Sequence, residues 1–577
     1  MMMITKISLL MFVCTLLFIV PDAFAQGRSL TVSGTVKEAA TGEELIGAGI
    51  SVKGTATGTV SDAYGRYSLS LPPGRYTLIV SYIGYIAREY PLTLDAQNQS
   101  LHITLDEDNR QLSEVVVSAE GHNAHISRLD MGTERLTVKA IKAMPALMGE
   151  VDLIKAIQML PGVQSTAEGT SGFSVRGGSH DQNLILLDEA TVYNASHLMG
   201  FFSVFNNDAI KDVVLYKGDI PANFGGRLSS LLDIRSKEGN NQRYAATGGI
   251  GIISSRLTVE GPIAGDKLSF LASARRTYAD IFLKLLPDDN DASGSSLYFY
   301  DFNAKLNYRI NERNRVYLAG YFGKDHFGTS FAGMSFGNKT LSARWNHTFS
   351  PKLFANFSLI ASSYDYYMLI DMDDQLDQDW KSKMQDIGFK ADFSYYPNPR
   401  HHVRFGYNII HHTFLPGEGG GLGENPVVQR FGVPRQYGAE QALYLTDEAS
   451  AGDRIKLKYG LRFSLYHNIA NGEEITYLDH YQPVRTETPT KGTIYNTYHQ
   501  LEPRLGIAYI LADDRSLKAS YSRTAQYIQM ASNSAAGSPL DVWFQSSHNV
   551  KPQLSDQFSV GYFRNFSGNL YEASAEL

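Results

Sequence analysis

The chain has 577 residues, of which 43% are hydrophobic, 19% are charged and 51 are glycine. Because single hydrophobic cores rarely extend beyond about 250 residues, this length excludes one compact core and predicts at least two folding units. The formal net charge of −7 disfavours a nucleic-acid-binding protein, since such proteins usually carry an excess of basic residues.

Residues 1–25 have the pattern of a secretory signal peptide. Lys6 precedes an apolar run of 14 residues, Ile7–Val20, and Ala23-Phe24-Ala25 then supplies the small residues that a signal peptidase recognises. We therefore expect the chain to be exported and cut after this sequence. A membrane anchor is the alternative, but a spanning helix needs about 20 apolar residues. Because Cys14 is the only cysteine, we expect the exported chain to fold without disulfides.

Residues 28–108 are predicted to form a small Ig-like β-sandwich. Short alternating stretches are separated by Gly- and Pro-rich turns, as in sandwiches built from short strands. The predicted strands are Thr31–Val36, Gly49–Lys53, Tyr67–Leu71, Tyr76–Tyr82 and Leu101–Leu105. Several motifs, among them Ser61-Asp62-Ala63-Tyr64-Gly65-Arg66-Tyr67 and Pro73-Gly74-Arg75-Tyr76, resemble the carboxypeptidase regulatory-like domain. In that family the module is an accessory and not a catalyst.

The predicted linker, residues 109–122, contains a β-branched run. Glu114, Val115, Val116 and Val117 lie between polar flanks, and valine favours an extended backbone whose free N–H and C=O groups can pair with the edge of another sheet. On its own the run predicts only a strand. Its position behind an exported accessory module makes it resemble the TonB box, through which outer-membrane receptors contact an energising periplasmic protein. The resemblance implies the TonB complex as a partner.

Residues 123–240 are predicted to form a small α+β domain. Apolar residues recur on one helical face between Asp152 and Leu160, and Pro161-Gly162 then ends the helix. The strands that follow are predicted at Phe173–Arg176, Asn183–Leu187, Val213–Tyr216 and Leu231–Arg235.

This α+β domain carries the most specific motifs of the chain. They are Leu160-Pro161-Gly162-Val163, Phe173-Ser174-Val175-Arg176-Gly177-Gly178, Leu186-Leu187-Asp188, Tyr216-Lys217-Gly218 and Phe224-Gly225-Gly226-Arg227-Leu228-Ser229-Ser230. In this order they resemble the plug domain of TonB-dependent outer-membrane receptors. The resemblance is to the Bacteroidetes-type receptors, which carry a regulatory-like domain before the plug. The resemblance implies a domain that closes the bore of a barrel.

Nine residues of these motifs form the predicted plug site: Arg176, Gly177, Gly178, Asp188, Lys217, Gly218, Gly225, Gly226 and Arg227. We expect the glycines to form tight turns. We expect the charged residues of this set, together with Asp219, to lie between the plug and the barrel wall. The alternative is that they belong to ordinary solvated turns, because most charged side chains lie at the surface.

Residues 241–577 alternate with a period of two, which is typical of a transmembrane β-barrel. Between Arg454 and Tyr466, apolar residues such as Leu461 share one face, while charged residues such as Lys458 and Arg462 share the other. Because charged side chains are costly in lipid, their face must point into water or against a plug. A soluble sandwich also alternates, but its strands are shorter than the roughly 10 residues needed to span a membrane.

Seven short turns predict about 14 strands in this region, with longer polar loops at the opposite ends. The turns lie near Gly261–Asp266, Asn311–Asn314, Ser350–Lys352, Pro397–Arg400, Ala451–Asp453, Ala512–Arg515 and Ser567–Asn569. The long loops lie near Asp325–Asn338, Asp371–Asp379, Leu415–Gln436, Ala470–Tyr495 and Ile528–Val550. Because receptors of the resembled family close with about 22 strands, we expect the sequence to be a C-terminally truncated reading of a longer receptor. A complete 14-stranded barrel is the alternative, with a bore that is narrow for a plug.

No motif predicts an enzyme, a cofactor or a metal site. The pairs His401-His402 and His411-His412 lie on or beside a predicted strand, where adjacent residues point to opposite faces, so neither pair forms a natural metal clamp. Catalytic motifs with a serine elbow, a zinc-binding helix or paired carboxylates are not found.

The combined prediction is a mainly β outer-membrane active transporter with a periplasmic N-terminal domain. The resemblance implies energy from the TonB complex and the proton-motive force, and it allows a surface lipoprotein as a further partner. Iron chelates, cobalamin, oligosaccharides and peptides all stay open as ligands, because the loop aromatics Trp543 and Phe544 would suit any of them. An adhesin or a signal-transducing receptor with the same architecture is the alternative function. A passive porin is disfavoured by the plug motifs, and an exported peptidase by the period-two strands.

Overall fold

The computed structural model describes residues 29–577 except positions 56, 63, 83, 109–123, 145–149, 168–169, 279, 284–286, 288–294, 373–375, 423–425, 533–537, 539 and 567–570. The predicted signal peptide, residues 1–25, and the predicted TonB box, Glu114–Val117, lie outside these described residues. Their assignments therefore stay predictions.

The N-terminal unit is a β-sandwich. Its strands are β1 (Leu30–Glu38), β2 (Gly49–Val52), β3 (Gly58–Val60), β4 (Arg66–Leu71), β5 (Gly74–Ser81), β6 (Arg88–Leu94), β7 (Gln99–Ser100) and β8 (Ile103–Leu105). One sheet joins β4, β1, β7 and β8, and the other has the order β3-β2-β5-β6. Val32, Tyr67 and Leu78 are buried in the core between them. All five predicted strands are present. Strands β3, β6 and β7 are not predicted by the sequence; β6 contains Pro91, which suits its place at the edge of the sheet.

The second unit mixes helices and strands, as predicted. Its elements are α1 (Ala124–Ser127), β9 (Thr133–Thr137), α2 (Val138–Lys142), α3 (Leu153–Gln158), β10 (Val163–Ser165), β11 (Phe173–Val175), β12 (Asn183–Leu187), β13 (Ala190–Thr191), β14 (Ser196–His197), β15 (Phe202–Ser203), β16 (Ile210–Tyr216) and β17 (Ser230–Ser236). The central sheet has the order β13-β12-β17-β16-β9. Ile157, Phe173, Val213 and Leu232 pack in its hydrophobic core.

Helix α3 is shorter than the predicted Asp152–Leu160. Asp152 is its N-cap and accepts hydrogen bonds from the backbone N–H groups of Ile154 (2.8 Å) and Lys155 (3.1 Å), which fixes the start of the helix. The chain leaves the helix before the left-handed Gly162 (φ +77°). None of the helices in the described part of the chain is long and apolar enough to cross a membrane.

The rest of the chain forms one large antiparallel sheet with a few accessory elements. In chain order these are β18 (Ala245–Ile250), β19 (Ser254–Ala264), β20 (Leu268–Thr277), α4 (Asp280–Leu283), β21 (Ser296–Asn311), β22 (Asn314–Gly328), β23 (Ala332–Ser350), β24 (Leu353–Ile370), β25 (Gln378–Asn398), β26 (His401–Gly421), β27 (Phe431–Val433), β28 (Gln436–Ala451), β29 (Ile455–Ile469), β30 (Ile475–Asp479), β31 (Gln482–Glu487), β32 (Ile494–Ala512), β33 (Arg515–Gln526), β34 (Ile528–Ala531), β35 (Val542–Gln545), β36 (Gln553–Phe566) and β37 (Tyr571–Glu576). The large sheet has 16 strands, while β30 pairs with β31 and β34 with β35 in separate hairpins.

The strand pairing confirms six of the seven predicted turns. They join β19 to β20, β21 to β22, β23 to β24, β25 to β26, β28 to β29 and β32 to β33. Strand β36 pairs with β37, and the turn predicted between them, Ser567–Asn569, lies outside the described residues. The predicted count of about 14 strands omits the Gly-containing β18, which precedes the first turn, and the three-residue β27, which pairs with β26.

Two of the five predicted long loops are too long, because the strands extend into them. The predicted loop Asp325–Asn338 is wrong: β22 continues to Gly328 and β23 begins at Ala332. The predicted loop Leu415–Gln436 begins too early, since β26 continues through its glycines to Gly421. Ladder hydrogen bonds join backbone groups and need no apolar side chains, so polar sequence can still extend a strand.

The two faces of the sheet have opposite character, as the alternation predicts. On β29, Leu461 and Tyr459 are each 39% exposed, whereas Lys458 and Arg462 on the opposite face are buried. The buried face touches the α+β domain through strands that run from β19 to β36, as shown by the pairs Arg256–Glu150 and Gln553–Gln182. The sheet therefore surrounds this domain, as predicted, with apolar side chains on its outer surface.

Candidate functional site

The boundary between the enclosed α+β domain and the sheet wall is the candidate functional site. It is lined by charged pairs. At the end of the sheet with short turns, Lys458 of β29 binds Asp219 of the enclosed domain and also Asp130 (3.0 Å). Further along the wall, Arg176 binds Glu576 of β37 (3.0 Å).

A second group of contacts joins the segment after β12 to the wall. Lys305 of β21 binds Asp188 at 2.8 Å, and Arg344 of β23 lies 3.4 Å from Glu189. All four side chains are buried. Burial by itself would raise the pKa of Glu189, but the cations Lys390, Arg344 and Arg235 lower it to about 2. Glu189 is therefore held as a carboxylate between the domain and the wall.

A third group lies toward the end of the sheet with longer connections. His197 Nδ1 contacts Asp325 of β22 at 2.6 Å, and the imidazole stacks on Phe299 of β21 with ring centroids 4.0 Å apart. Burial alone would lower the pKa of His197, but Asp325 and Asp301 raise it above its ordinary value. These carboxylates thus stabilise the charged imidazolium inside a buried contact.

Asp386 of β25 connects the enclosed domain to a neighbouring strand. It accepts a hydrogen bond from the Tyr193 hydroxyl of the domain and contacts Nδ1 of His412 on β26 at 2.7 Å. All three side chains are buried. Beside them lies a cavity of about 80 Å³, which Arg227 and Arg462 also line. A water molecule occupies roughly 30 Å³ of liquid, so this space holds only a few waters.

Several contact residues have left-handed backbone conformations that L-amino acids rarely adopt. Arg176 (φ +48°), Asp188 (φ +47°), Glu189 (φ +75°) and Asp219 (φ +48°) are examples, and each pairs with a charged residue of the wall. Such residues cost on the order of 1 kcal/mol or more each and persist where their surroundings enforce them. The wall contacts therefore hold strained turns in place.

The structure brings most of the predicted plug-site residues to the wall. Gly225 approaches Arg462 so closely that an added Cβ would lie 2.5 Å from its Nε atom, and Gly218 likewise faces Gln557. Gly226 (φ +83°) and Gly177 (φ +80°) have left-handed backbone conformations, as predicted for tight turns, and Gly178 follows Gly177 after β11. The two wall-facing glycines allow the domain to pack directly against the wall.

Lys217 does not have the predicted position between the two units. Its Nζ atom binds Glu134 and the carbonyl oxygen of Pro161, both at 3.0 Å, and both partners belong to the enclosed domain itself. The neighbouring Asp219 points to the wall instead. Burial raises the pKa of Asp219 to about 6, although Lys458 opposes this shift.

The two aromatic residues predicted to bind ligand are placed differently from one another. Trp543 of β35 is buried: its ring lies 5.4 Å from that of Tyr193, and the Arg227 guanidinium lies 5.2 Å from its ring centre. Phe544 is half-buried. Trp543 lies in the connection between β33 and β36 and packs this connection against the enclosed domain. Its role in ligand binding stays a prediction.

His197, Tyr193 and Asp386 are not among the site residues predicted from the sequence. Asp386 could have been found, because it shares the inward face of β25 with Lys390. The other two lie in short irregular elements without a periodic pattern, so only their spatial neighbours reveal them.

The pair His411-His412 behaves as alternation predicts. His411 is exposed and His412 is buried on the other face of β26. His401 contacts Asp447 at 2.6 Å. Within the described ranges, no group of three or more His, Cys, Asp or Glu side chains is arranged to hold a metal ion.

Comparisons with known families match all three units. The CarboxypepD_reg-like domain matches residues 32–117, the TonB-dependent Receptor Plug Domain matches residues 133–229, and the TonB dependent receptor-like β-barrel matches residues 269–577.

Among curated proteins, TonB-dependent receptor SusC of Bacteroides thetaiotaomicron is 29% identical over 282 residues, which cover 46% of this chain and 26% of that protein. TonB-dependent receptor P3 of Formosa agariphila is 32% identical over 130 residues, covering 22% of this chain and 12% of that protein. The chain therefore matches about a quarter or less of the length of these relatives.

Two solved structures share the fold at low sequence identity. The copper transporter OprC superposes with a TM-score of 0.56 at 12% identity, covering 76% of this chain and 71% of that one. The alcaligin outer-membrane receptor FauA from Bordetella pertussis superposes with a TM-score of 0.54 at 14% identity, covering 86% of this chain and 73% of that one.

Proposed function

The chain belongs to the TonB-dependent receptor family, and from this premise we propose that it is an energised outer-membrane transporter. The family consists of receptors and transporters and not of enzymes. In the proposed cycle, ligand binds at the outer connections, the plug blocks the bore, and energy from the TonB complex moves the plug aside. The ligand is a nutrient too large or too scarce for porins, such as an iron chelate, cobalamin, an oligosaccharide or a peptide.

One observation carries this proposal. The bore is filled by a domain that is bound to the wall through buried charge pairs, such as Asp188–Lys305 and Asp219–Lys458. Moving the plug breaks all of these pairs together with the hydrogen bonds beside them, so thermal motion alone opens the bore rarely. An external energy source is therefore needed, and Glu114–Val117 are the proposed point where TonB applies it.

The proposal is tested at Val116. Proline at this position removes a backbone N–H and prevents strand pairing, whereas isoleucine keeps the extended preference. We expect Val116→Pro and deletion of Glu114–Val117 to abolish binding of the periplasmic domain of TonB in a pull-down. Both variants should also abolish uptake of the ligand that copurifies with the receptor. Val116→Ile should retain both activities.

Membrane insertion and ligand binding at the cell surface serve as controls, and they should be unchanged in all variants. Unchanged uptake in the deletion variant would contradict the coupling assignment. Ligand binding without uptake in the unmodified receptor would favour the alternative, an adhesin or a signal-transducing receptor. A surface lipoprotein partner stays a prediction, which copurification from outer membranes would test.

A further inference from the structure

The β-sandwich is docked against the end of the barrel that carries the short turns. Glu44 of the sandwich binds Arg315, which lies at the start of β22 beside the turn that follows β21, and it also accepts a hydrogen bond from the Tyr317 hydroxyl at 3.1 Å. Arg66 donates to the carbonyl oxygen of His347 near the end of β23 at 3.4 Å. The sandwich therefore covers one sector of this mouth.

A second set of contacts reaches the segment between the plug and the first barrel strand. Glu43 accepts a hydrogen bond from the backbone N–H of Gly239 at 3.1 Å and lies 3.9 Å from Lys211. The backbone N–H of Asn241 donates to the carbonyl oxygen of Thr41 at 3.0 Å. The sandwich thus holds the point where the chain leaves the plug and enters the barrel.

Tyr64 brings the sandwich into the seam between plug and wall. Its hydroxyl donates to Glu189 of the plug at 3.2 Å, and its ring lies 4.8 Å from the Arg344 guanidinium of the wall and 5.3 Å from that of Arg235. Glu189 and Arg344 are themselves a plug–wall pair. One sandwich residue therefore contacts both sides of the gap that a transported ligand has to use.

The docking contacts are charged and polar, although they are buried. Glu43, Glu44, Tyr64 and Arg66 are each less than a tenth exposed. The apolar core of the sandwich is a separate cluster that does not include residues of the plug or barrel. Polar interfaces between domains resemble transient protein–protein interfaces, and charged groups that separate into water regain their hydration. This interface is suited to open and close while the sandwich stays folded.

We propose that the sandwich is a stopper on the periplasmic mouth, which stays docked at rest and is released when the receptor is energised. This inference rests on the proposed function. Its physical basis is the chain order: the sandwich ends at a bridge between Tyr85 and Glu107, and the predicted TonB box begins seven residues later, at Glu114. Seven extended residues span at most about 25 Å, so a pull at the box acts directly on the sandwich.

The docked state is tested with an engineered disulfide. Thr41→Cys with Asn241→Cys pairs two residues that share a backbone hydrogen bond of 3.0 Å, and a disulfide between them requires the sandwich to be docked. The matched control is Thr31→Cys with Ser70→Cys, a registered pair inside the sandwich whose hydroxyl groups lie 2.8 Å apart. Both pairs should form disulfides in isolated outer membranes. If a disulfide forms only in the control pair, the sandwich is not docked against this end of the barrel.

Release is tested with a small maleimide as thiol probe in living cells. Arg66→Cys places a thiol in the buried interface, and Arg75→Cys places one at an exposed position of the sandwich. In cells with an active proton-motive force, labelling at position 66 should be about tenfold faster or more than in cells treated with a protonophore. Labelling at position 75 should be the same in both. Deletion of Glu114–Val117 should return position 66 to the slow rate.

Equal labelling rates at position 66 in energised and de-energised cells would contradict the proposal that the sandwich acts as a releasable stopper. The pull-down with the periplasmic domain of TonB separates this failure from that of the proposed function. If TonB binds and labelling does not change, only the stopper is wrong. If TonB does not bind, the proposed function fails as well.

Discussion

At the residue scale, the most informative positions combine a buried charge with a left-handed backbone. Asp219 has a φ of +48° and binds Lys458 across the plug–wall boundary. Aspartate and asparagine tolerate this conformation better than alanine does, because their short polar side chains can form local hydrogen bonds. Aspartate at position 219 therefore both tolerates the left-handed turn and supplies the carboxylate of the ion pair.

Substitutions at Asp219 separate these two contributions. Asp219→Asn removes the charge but keeps a side chain that accepts the left-handed backbone, whereas Asp219→Ala loses both. We expect Asp219→Ala to be about 1 kcal/mol less stable than Asp219→Asn, because alanine tolerates the left-handed backbone less well. Thermal unfolding of the purified receptor measures this difference, and Asp95→Ala on an exposed loop is the control. If Asp219→Ala were more stable than Asp219→Asn, the left-handed backbone would not explain the residue type at this position.

Glu189 gives the receptor a defined response to acid. Its pKa in the folded protein is about 2, below its ordinary value of 4.5, because Lys390, Arg344 and Arg235 outweigh the effect of burial. A carboxyl group with a lowered pKa contributes stability above pH 4.5, and that contribution is lost as the pH falls from 4.5 toward 2. The contribution is about 3 kcal/mol in total.

The test is thermal unfolding as a function of pH. We expect the unmodified receptor to lose stability between pH 4.5 and 2 more steeply than Glu189→Gln, which has no charge to lose. Glu473→Gln, at an exposed position, should follow the unmodified receptor. If the stability of the receptor and that of Glu189→Gln fall equally over this pH range, other carboxyl groups determine the response of the receptor to acid.

At the element scale, alternation along a strand decides which side chains meet lipid. Leu461 is the seventh residue of β29, which begins at Ile455, and it lies on the outward face. At about 3.3 Å per residue and with the usual tilt, this position is near the middle of a bilayer. Its neighbour Arg462 faces the plug and is only 1% exposed.

We expect Leu461→Arg to destabilise the folded receptor by about 2–4 kcal/mol, because the guanidinium would face hydrocarbon. Leu461→Phe keeps an apolar surface and should insert normally. The measurement is the folded fraction in urea titrations with phospholipid vesicles. Equal stability of the two variants would show that this face does not contact lipid.

At the scale of the whole molecule, the sandwich and the plug have separate apolar cores. The sandwich core includes Val32 and Leu78, while the plug core includes Ile157 and Leu232 and is joined by Tyr321 of the wall. The units therefore share polar contacts but little apolar packing. Cooperative unfolding requires shared burial, so each core should unfold as its own unit.

Calorimetry of the purified receptor tests this division. We expect at least two transitions, of which the one that belongs to the sandwich shifts when Leu78→Ala removes a buried side chain. Leu461→Phe, on the barrel surface, should leave that transition unchanged. A single transition that moves as a whole with Leu78→Ala would show that the sandwich is an integral part of the barrel fold.

The sequence by itself determined the order of the units, the helix that begins after Asp152, six of the short turns and the inward face of strands such as β29. These features follow from local rules: capping, turn chemistry and the period of two in a strand whose faces meet different solvents.

Only the tertiary structure decided which charges meet. It placed Lys217 inside the plug and Asp219 against Lys458, and it brought Glu44 to Arg315 across 271 positions of sequence. It also extended strands such as β22 and β26 through polar segments. The physical reason is that an ion pair or a ladder hydrogen bond joins groups that are far apart along the chain. A local sequence pattern does not show which of these groups will pair.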